Sequence, residues 1–126
     1  MKLRLRENSL RLRLNRSEVL GLINIGELEE GVSFGPSPAS RLTFRVRIVT
    51  NGSPLTASLE GARITVELAA ATARAWAEDI TVGLYSETDG GLKIAVEKDF
   101  RCLELRSHED ETDAYDHPGE IIPCPV

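Results

Sequence analysis

Hydrophobic and polar residues alternate along most of the chain, which is typical of a protein rich in β-strands. Leu3 and Leu5 alternate with basic residues, and residues 10–14 repeat this alternation after a short polar turn that begins at Glu7. Two runs with a period of two, joined by a short turn, predict a β-hairpin. Its leucine face would pack in the core, and its basic face would point outward.

The pattern changes to that of a helix at Asn15. Asn15 and Glu18 have the spacing of a capping box, and apolar residues follow as far as Gly26, a residue that often ends a helix. We therefore expect a helix at about 16–24. Strands are predicted at 27–34 and 42–48, on either side of a loop rich in proline and serine.

The second half repeats this order of elements. It contains an alanine-rich stretch with high helical propensity and the hairpin turn of Asp89-Gly90-Gly91. The predicted elements are strands at 55–59 and 63–68, a helix at 69–78, and strands at 80–84 and 92–96.

The two halves coincide at fixed offsets. The matching positions are Leu10 and Ile64, Leu22 and Trp76, and Leu28 and Val82 at an offset of 54, and Phe44 and Ile94 at an offset of 50. We interpret this as a duplicated β-β-α-β-β unit, with repeat one at about 2–49 and repeat two at about 55–98. The predicted fold is a β-rich α+β single domain over residues 1–126, with a pseudo-twofold barrel or sandwich-like core. The alternative is that both halves show a common α+β pattern without a duplication.

Composition agrees with one globular domain. The chain has 126 residues, of which 41% are hydrophobic and 28% charged, and six are aromatic. So few aromatics predict an aliphatic core and no exposed aromatic side chain that could stack on bases. The absence of a long apolar run predicts no membrane span and, as the default, a cytoplasmic location.

Charge is distributed unevenly. Residues 1–17 carry six basic side chains against one acidic, whereas residues 97–126 carry nine acidic against three basic. A basic strand face can contact phosphates, so the first hairpin is a candidate nucleic-acid surface. A net charge of −5 and pairing of arginines with glutamates on neighbouring strands are arguments against it. The candidate residues are Lys2, Arg4, Arg6, Arg11 and Arg13.

The acidic segment 99–126 is predicted to be irregular. It contains thiol, imidazole and carboxylate groups that could hold a transition metal, although their spacing matches no standard site. Alternatives are a thiol enzyme with Cys102 as nucleophile and a plain acidic tail with a lone buried cysteine. Cys102 and Cys124 are expected to be free thiols in a cytosolic chain, with a single disulfide between them as the alternative. The candidate metal ligands are Cys102, His108, Asp110, Asp113 and His117.

Four segments resemble a family of short bacterial proteins of unknown function. They are Asn8–Val19, Val96–Leu103, Glu109-Asp110 and Asp113–Tyr115. Members often carry Tyr-Pro-Asn-Pro near the end, where this chain has Tyr115-Asp116-His117-Pro118. The resemblance implies no activity, and the departure leaves the role of that turn open in this chain.

The β-β-α-β-β unit also resembles the swapped-hairpin domains of bacterial transition-state regulators and antitoxins. That resemblance implies a dimer-like architecture and DNA binding through basic residues. Fold alone does not decide function, so we expect first a non-enzymatic binding or protein-interaction domain without a cofactor. Its partner is open, with a protein or a second copy of the chain as candidates. The alternatives are a DNA-binding module that uses the N-terminal arginines, and a metal or thiol enzyme centred on Cys102.

Overall fold

The computed structural model describes residues 1–50 and 52–100. This part of the chain confirms the β-rich α+β class, with eight strands, two α-helices and one short 3₁₀ helix at Pro38–Ser40. The strands and helices are β1 (Lys2–Arg6), β2 (Ser9–Leu14), α1 (Arg16–Ile25), β3 (Glu27–Ser33), β4 (Arg41–Val49), β5 (Leu55–Glu60), β6 (Arg63–Ala69), α2 (Ala70–Glu78), β7 (Gly83–Glu87) and β8 (Lys93–Lys98).

The strands form two four-stranded sheets. The first sheet has the order β1-β2-β8-β7, and the second has the order β3-β4-β6-β5. In each sheet the two central strands are parallel and both outer strands are antiparallel to their neighbours. Each sheet therefore combines a hairpin from the first half of the chain with a hairpin from the second half.

Local sequence explains where the helices begin and end. The Asn15 side chain accepts a hydrogen bond from the Glu18 amide, and the Glu18 carboxylate accepts one from the Asn15 amide, which completes the predicted capping box. Gly26 ends α1 with a φ of 95°, a conformation that glycine adopts without strain. Helix α2 begins after Ala69 without a side-chain cap, so its alanine-rich sequence and its packing must stabilise it.

One hydrophobic core joins both sheets and both helices. Leu22 of α1 and Trp76 of α2 are both fully buried, and the Trp76 indole N–H donates to the Val82 carbonyl at 3.3 Å. The largest buried side chains besides these two are Leu12, Leu14, Val46, Val66, Leu68, Ile94 and Val96. Leucine, valine and isoleucine thus supply most of the core, as the composition predicts.

Strand pairing follows the same register in both sheets. Leu10 pairs with Ile94 across the centre of the first sheet, and Ile64 pairs with Phe44 across the centre of the second. The offsets of 54 and 50 relate these two pairs to each other. The N-caps Asn15 and Ala69 are also 54 residues apart. These correspondences support the duplication, which stays a prediction about the origin of the fold.

Two sequence-based assignments in the second half are wrong. Leu28 pairs with Val46, and the corresponding pair in the first sheet is Leu84 with Val96, so Leu28 matches Leu84 rather than Val82. The predicted strand at 80–84 begins only at Gly83, and Ile80 is 93% exposed. The apolar alternation at Ile80 and Val82 belongs to the connection between α2 and β7. In the alignment of the two halves, this connection is two residues longer than the one between α1 and β3.

The turn between β1 and β2 contains a conformational constraint that can be tested. Glu7 has a φ of +53°, and Gly61 has a φ of +56° at the corresponding turn between β5 and β6. A left-handed conformation costs a residue with a Cβ roughly 1–2 kcal/mol of strain. Glycine avoids this strain, but its greater freedom in the unfolded state offsets part of the gain in stability. We expect Glu7→Gly to raise the free energy of unfolding by about 0.5–1 kcal/mol.

Urea denaturation monitored through Trp76 would measure this change. Glu7→Ala is the matched control, because it removes the same charge but keeps a Cβ and should give no comparable gain. Gly61→Ala should lower stability by about 1 kcal/mol. Equal stabilisation by Glu7→Gly and Glu7→Ala would show that charge, not backbone conformation, limits stability at this turn.

Candidate functional site

The outward face of the first sheet collects most of the basic residues of the first hairpin. The leucines at 10, 12 and 14 of β2 are buried, so the residues between them point away from the core. Lys2 lies opposite Arg13, and Arg4 lies opposite Arg11. We call this surface the basic face; its basic residues are Lys2, Arg4, Arg6, Arg11, Arg13 and Lys93.

The outward face of the second sheet has as many acidic residues as basic ones. Its basic residues are Arg41, Arg45, Arg47 and Arg63, and its acidic residues are Glu27, Glu29, Glu60 and Glu67. Most of these charges meet across strands. Arg47–Glu67 are 2.6 Å apart, and Arg45–Glu27 and Arg63–Glu29 are each 3.2 Å apart. These arginines are therefore partners of glutamates, which is the alternative that the sequence left open.

The basic face has a surplus of positive charge. Its six basic residues share the face with two acidic ones, Glu87 and Glu97. Lys2 also lies 2.9 Å from Asp99, just beyond the end of β8. Arg4 and Arg6 are exposed, and no acidic side chain of residues 1–50 or 52–100 forms an ion pair with either. The structure thus brings all five predicted nucleic-acid residues to one surface.

Glu97 is the acidic centre of this face. Its Oε1 lies 3.3 Å from the Nε atoms of both Arg11 and Arg13, and its Oε2 accepts a hydrogen bond of 2.6 Å from the Tyr85 hydroxyl. Burial acts to raise the pKa of Glu97, but the Tyr85 hydrogen bond and the two guanidinium groups outweigh burial and lower that pKa. The hydrogen bond to the carboxylate, with burial, raises the pKa of Tyr85.

Tyr85 is a residue of this face that the sequence prediction missed. It lies opposite Ala95, pairs in the same row as Arg11 and Arg4, and is 62% exposed. The expectation of no exposed aromatic side chain is therefore wrong. Leu84 is half-buried, so strand alternation already places its neighbour Tyr85 outward. Only the strand order shows that Tyr85 lies beside the arginines.

The basic face differs from its counterpart at two informative positions. Gly83 and Tyr85 of β7 occupy the positions that Glu27 and Glu29 of β3 occupy in the second sheet. The first sheet thus has no glutamates where the second sheet has two. This difference produces much of the charge surplus and places an aromatic ring among the arginines.

Among the described residues, a further candidate site is a small cleft. A cleft of about 190 Å³ lies between the end of α1 and the start of α2, beside Asn24 and Arg74. Typical small-molecule pockets measure roughly 300–1,000 Å³. No helix within the described part is both long and apolar enough to cross a membrane.

The predicted metal and thiol site lies outside the described residues. Cys102, His108, Asp110, Asp113 and His117 all fall within 101–126, as does Cys124. Residues 1–50 and 52–100 contain no cluster of three or more potential metal ligands. The metal site, the role of Cys102 as a nucleophile and the state of the two cysteines therefore stay predictions.

Fold and surface together define a class: a small α+β domain of two mixed sheets, one of which presents an outward basic face. The chain belongs to the family of unknown function DUF7009, which matches residues 1–119. This confirms the resemblance to a family without an assigned activity. No curated protein and no solved structure matches the chain.

The lowered pKa of Glu97 predicts how stability depends on pH. A carboxyl group whose pKa is lower in the folded state stabilises the fold above its ordinary pKa of 4.5, and this contribution is lost as the pH falls through the folded-state value. Glu97→Gln should lower stability by up to about 1 kcal/mol at neutral pH, because solvent screens the pairs. At about pH 3 the deficit of the variant should be smaller than at neutral pH.

Urea denaturation at both pH values measures this difference. Glu87→Gln is the matched control, since Glu87 is exposed on the same face and forms no ion pair within the described part. It should leave the pH profile unchanged. A deficit of Glu97→Gln that is just as large at low pH would show that the carboxylate charge is not what stabilises this centre.

Proposed function

We propose that this chain is a non-enzymatic, cytoplasmic domain that binds nucleic acid through the basic face. The observation that carries the proposal is the charge surplus of this face, set against the balanced charges of the second sheet. Both faces follow the same strand alternation, so the surplus is a property of this surface and not of the composition. Exposed guanidinium groups without acidic partners are suited to phosphate oxygens.

The spacing of the basic residues favours an extended anion over a single small one. Lys2, Arg4 and Arg6 alternate along β1, and alternate residues of a strand are separated by about 7 Å. Arg11 and Arg13 follow on the neighbouring strand. A chain of phosphates can meet several such groups at once, and each contact releases counterions from the polymer.

The net charge of −5 does not oppose binding at this face. Residues 1–100 contain thirteen basic and thirteen acidic side chains, and residues 101–126 contain two basic and seven acidic. The negative net charge therefore belongs to the C-terminal segment. Within a neutral domain, one positive face orients an approaching polyanion. The resemblance of the β-β-α-β-β unit to swapped-hairpin domains, which bind DNA through basic residues, is a further argument for this assignment.

Neutralising Arg4 and Arg6, which have no acidic partner within residues 1–50 and 52–100, tests the proposal. Arg4→Gln with Arg6→Gln should weaken binding to mixed-sequence oligonucleotides in 50 mM salt by about tenfold or more. The slope of log affinity against log salt concentration should also fall, by about 0.7–0.9 for each phosphate that the variant no longer neutralises. Fluorescence anisotropy over a series of salt concentrations measures both quantities, and retention on heparin should decrease in parallel.

Arg16→Gln with Arg74→Gln is the matched control. It removes the same charge from exposed positions on α1 and α2, away from the basic face, and should change affinity by less than about twofold through long-range charge alone. Equal losses in the two double variants would mean that overall charge and not this face attracts the polymer. Absence of binding by the unmodified protein at low salt would refute the proposal.

A further inference from the structure

Tyr85 gives the basic face a group that phosphate binding does not require. Its ring lies toward Gly83 on its own strand: a Cβ built on Gly83 would be 2.8 Å from the Tyr85 hydroxyl oxygen and 3.0 Å from Cζ. The glycine therefore allows the ring to lie along the strand instead of projecting away from the sheet. Tyr85 nevertheless remains 62% exposed, so one side of the ring faces solvent.

The position of the ring is fixed by a chain of polar contacts. The Tyr85 hydroxyl donates to Glu97, and Glu97 is in turn held by Arg11 and Arg13. A tyrosine fixed at its hydroxyl end loses little further freedom when another flat group covers it. Exposed aromatic rings beside basic groups are what proteins use to stack unpaired bases.

We propose that the basic face binds single-stranded nucleic acid in preference to duplex, with one base stacked on Tyr85 and the phosphates held by the arginines of β1 and β2. This inference rests on the proposed function and specifies its ligand. In a duplex the bases are stacked on each other and their faces are covered. Only a single strand can offer a base face to a ring on the surface of the sheet.

The dimensions of the face suit a short single strand. A row across the sheet runs from Tyr85 past Ala95 to Arg11 and Arg4. Its three strand spacings add up to about 14 Å, which is about the length of four stacked nucleotides at about 3.4 Å each. Ala95 lies between the ring and Arg11 in this row, and neighbouring groups bury its short side chain. A strand that crosses the sheet along this row meets the ring at one end and guanidinium groups at the other.

The test compares two labelled ligands: single-stranded oligothymidine of about 12 nucleotides, and the duplex that the same strand forms with oligoadenine. The full chain should bind the single strand more tightly than the duplex. Tyr85→Ala should weaken single-strand binding by about fivefold to a hundredfold and change duplex binding by less than about twofold. Tyr85→Phe should stay within about threefold of the parent, because it keeps the ring.

Two controls separate stacking from structural damage. Phe34→Ala removes an aromatic residue that is 75% exposed outside the basic face, and it should leave both affinities unchanged. Irradiation of the unmodified protein with iododeoxyuridine-substituted oligothymidine should give a cross-link that mass spectrometry assigns to Tyr85. This second readout does not depend on how any variant folds.

The outcomes distinguish this inference from the proposed function. If Arg4→Gln with Arg6→Gln weakens binding but Tyr85→Ala does not, the face binds nucleic acid and the single-strand inference is overturned. Equal losses for single strand and duplex in Tyr85→Ala also overturn it. If neither oligonucleotide binds, the proposed function itself has failed.

Discussion

The parallel pairing of β2 with β8 is the interaction on which the remaining structure depends. It joins the first hairpin of the chain to the last, with Leu10 beside Ile94 and Leu12 beside Val96. Burial of these side chains drives the pairing, because a hairpin alone covers too little apolar surface to be stable. The same register sets Arg13 against Glu97 on the outward side, so core packing decides the arrangement of the charged surface.

The two sheets show how one architecture can carry two different surfaces. The pair of Arg13 and Glu97 in the first sheet is equivalent to the pair of Glu67 and Arg47 in the second. Both pairs are ion pairs, but the acidic and basic residues have exchanged strands. The outer strands differ more, since β3 supplies glutamates and β7 supplies a glycine and Tyr85. Outward positions change at little cost to stability, whereas the core positions of both halves stay aliphatic or aromatic.

Sequence patterns predicted the local elements well where a local signal exists. The capping box at Asn15 located the start of α1, and the predicted strand at 42–48 located β4, because both signals depend on neighbouring residues alone. The pattern failed at Ile80, where apolar residues continue beyond the helix but belong to a connection. Nothing local distinguishes such residues from a strand, since only a partner strand provides hydrogen bonds.

The sequence by itself determined the β-rich class, both helices, the aliphatic core and the basic outward residues of the first hairpin, because side-chain alternation and capping act over a few residues. Only the tertiary structure decided which strands are neighbours. That order pairs Arg45 and Arg47 of β4 with glutamates of β3 and β6 and sets Tyr85 beside Glu97. It leaves Arg4 and Arg6 without acidic partners among the described residues. These relations join residues that are distant along the chain, and burial of a shared core selects them.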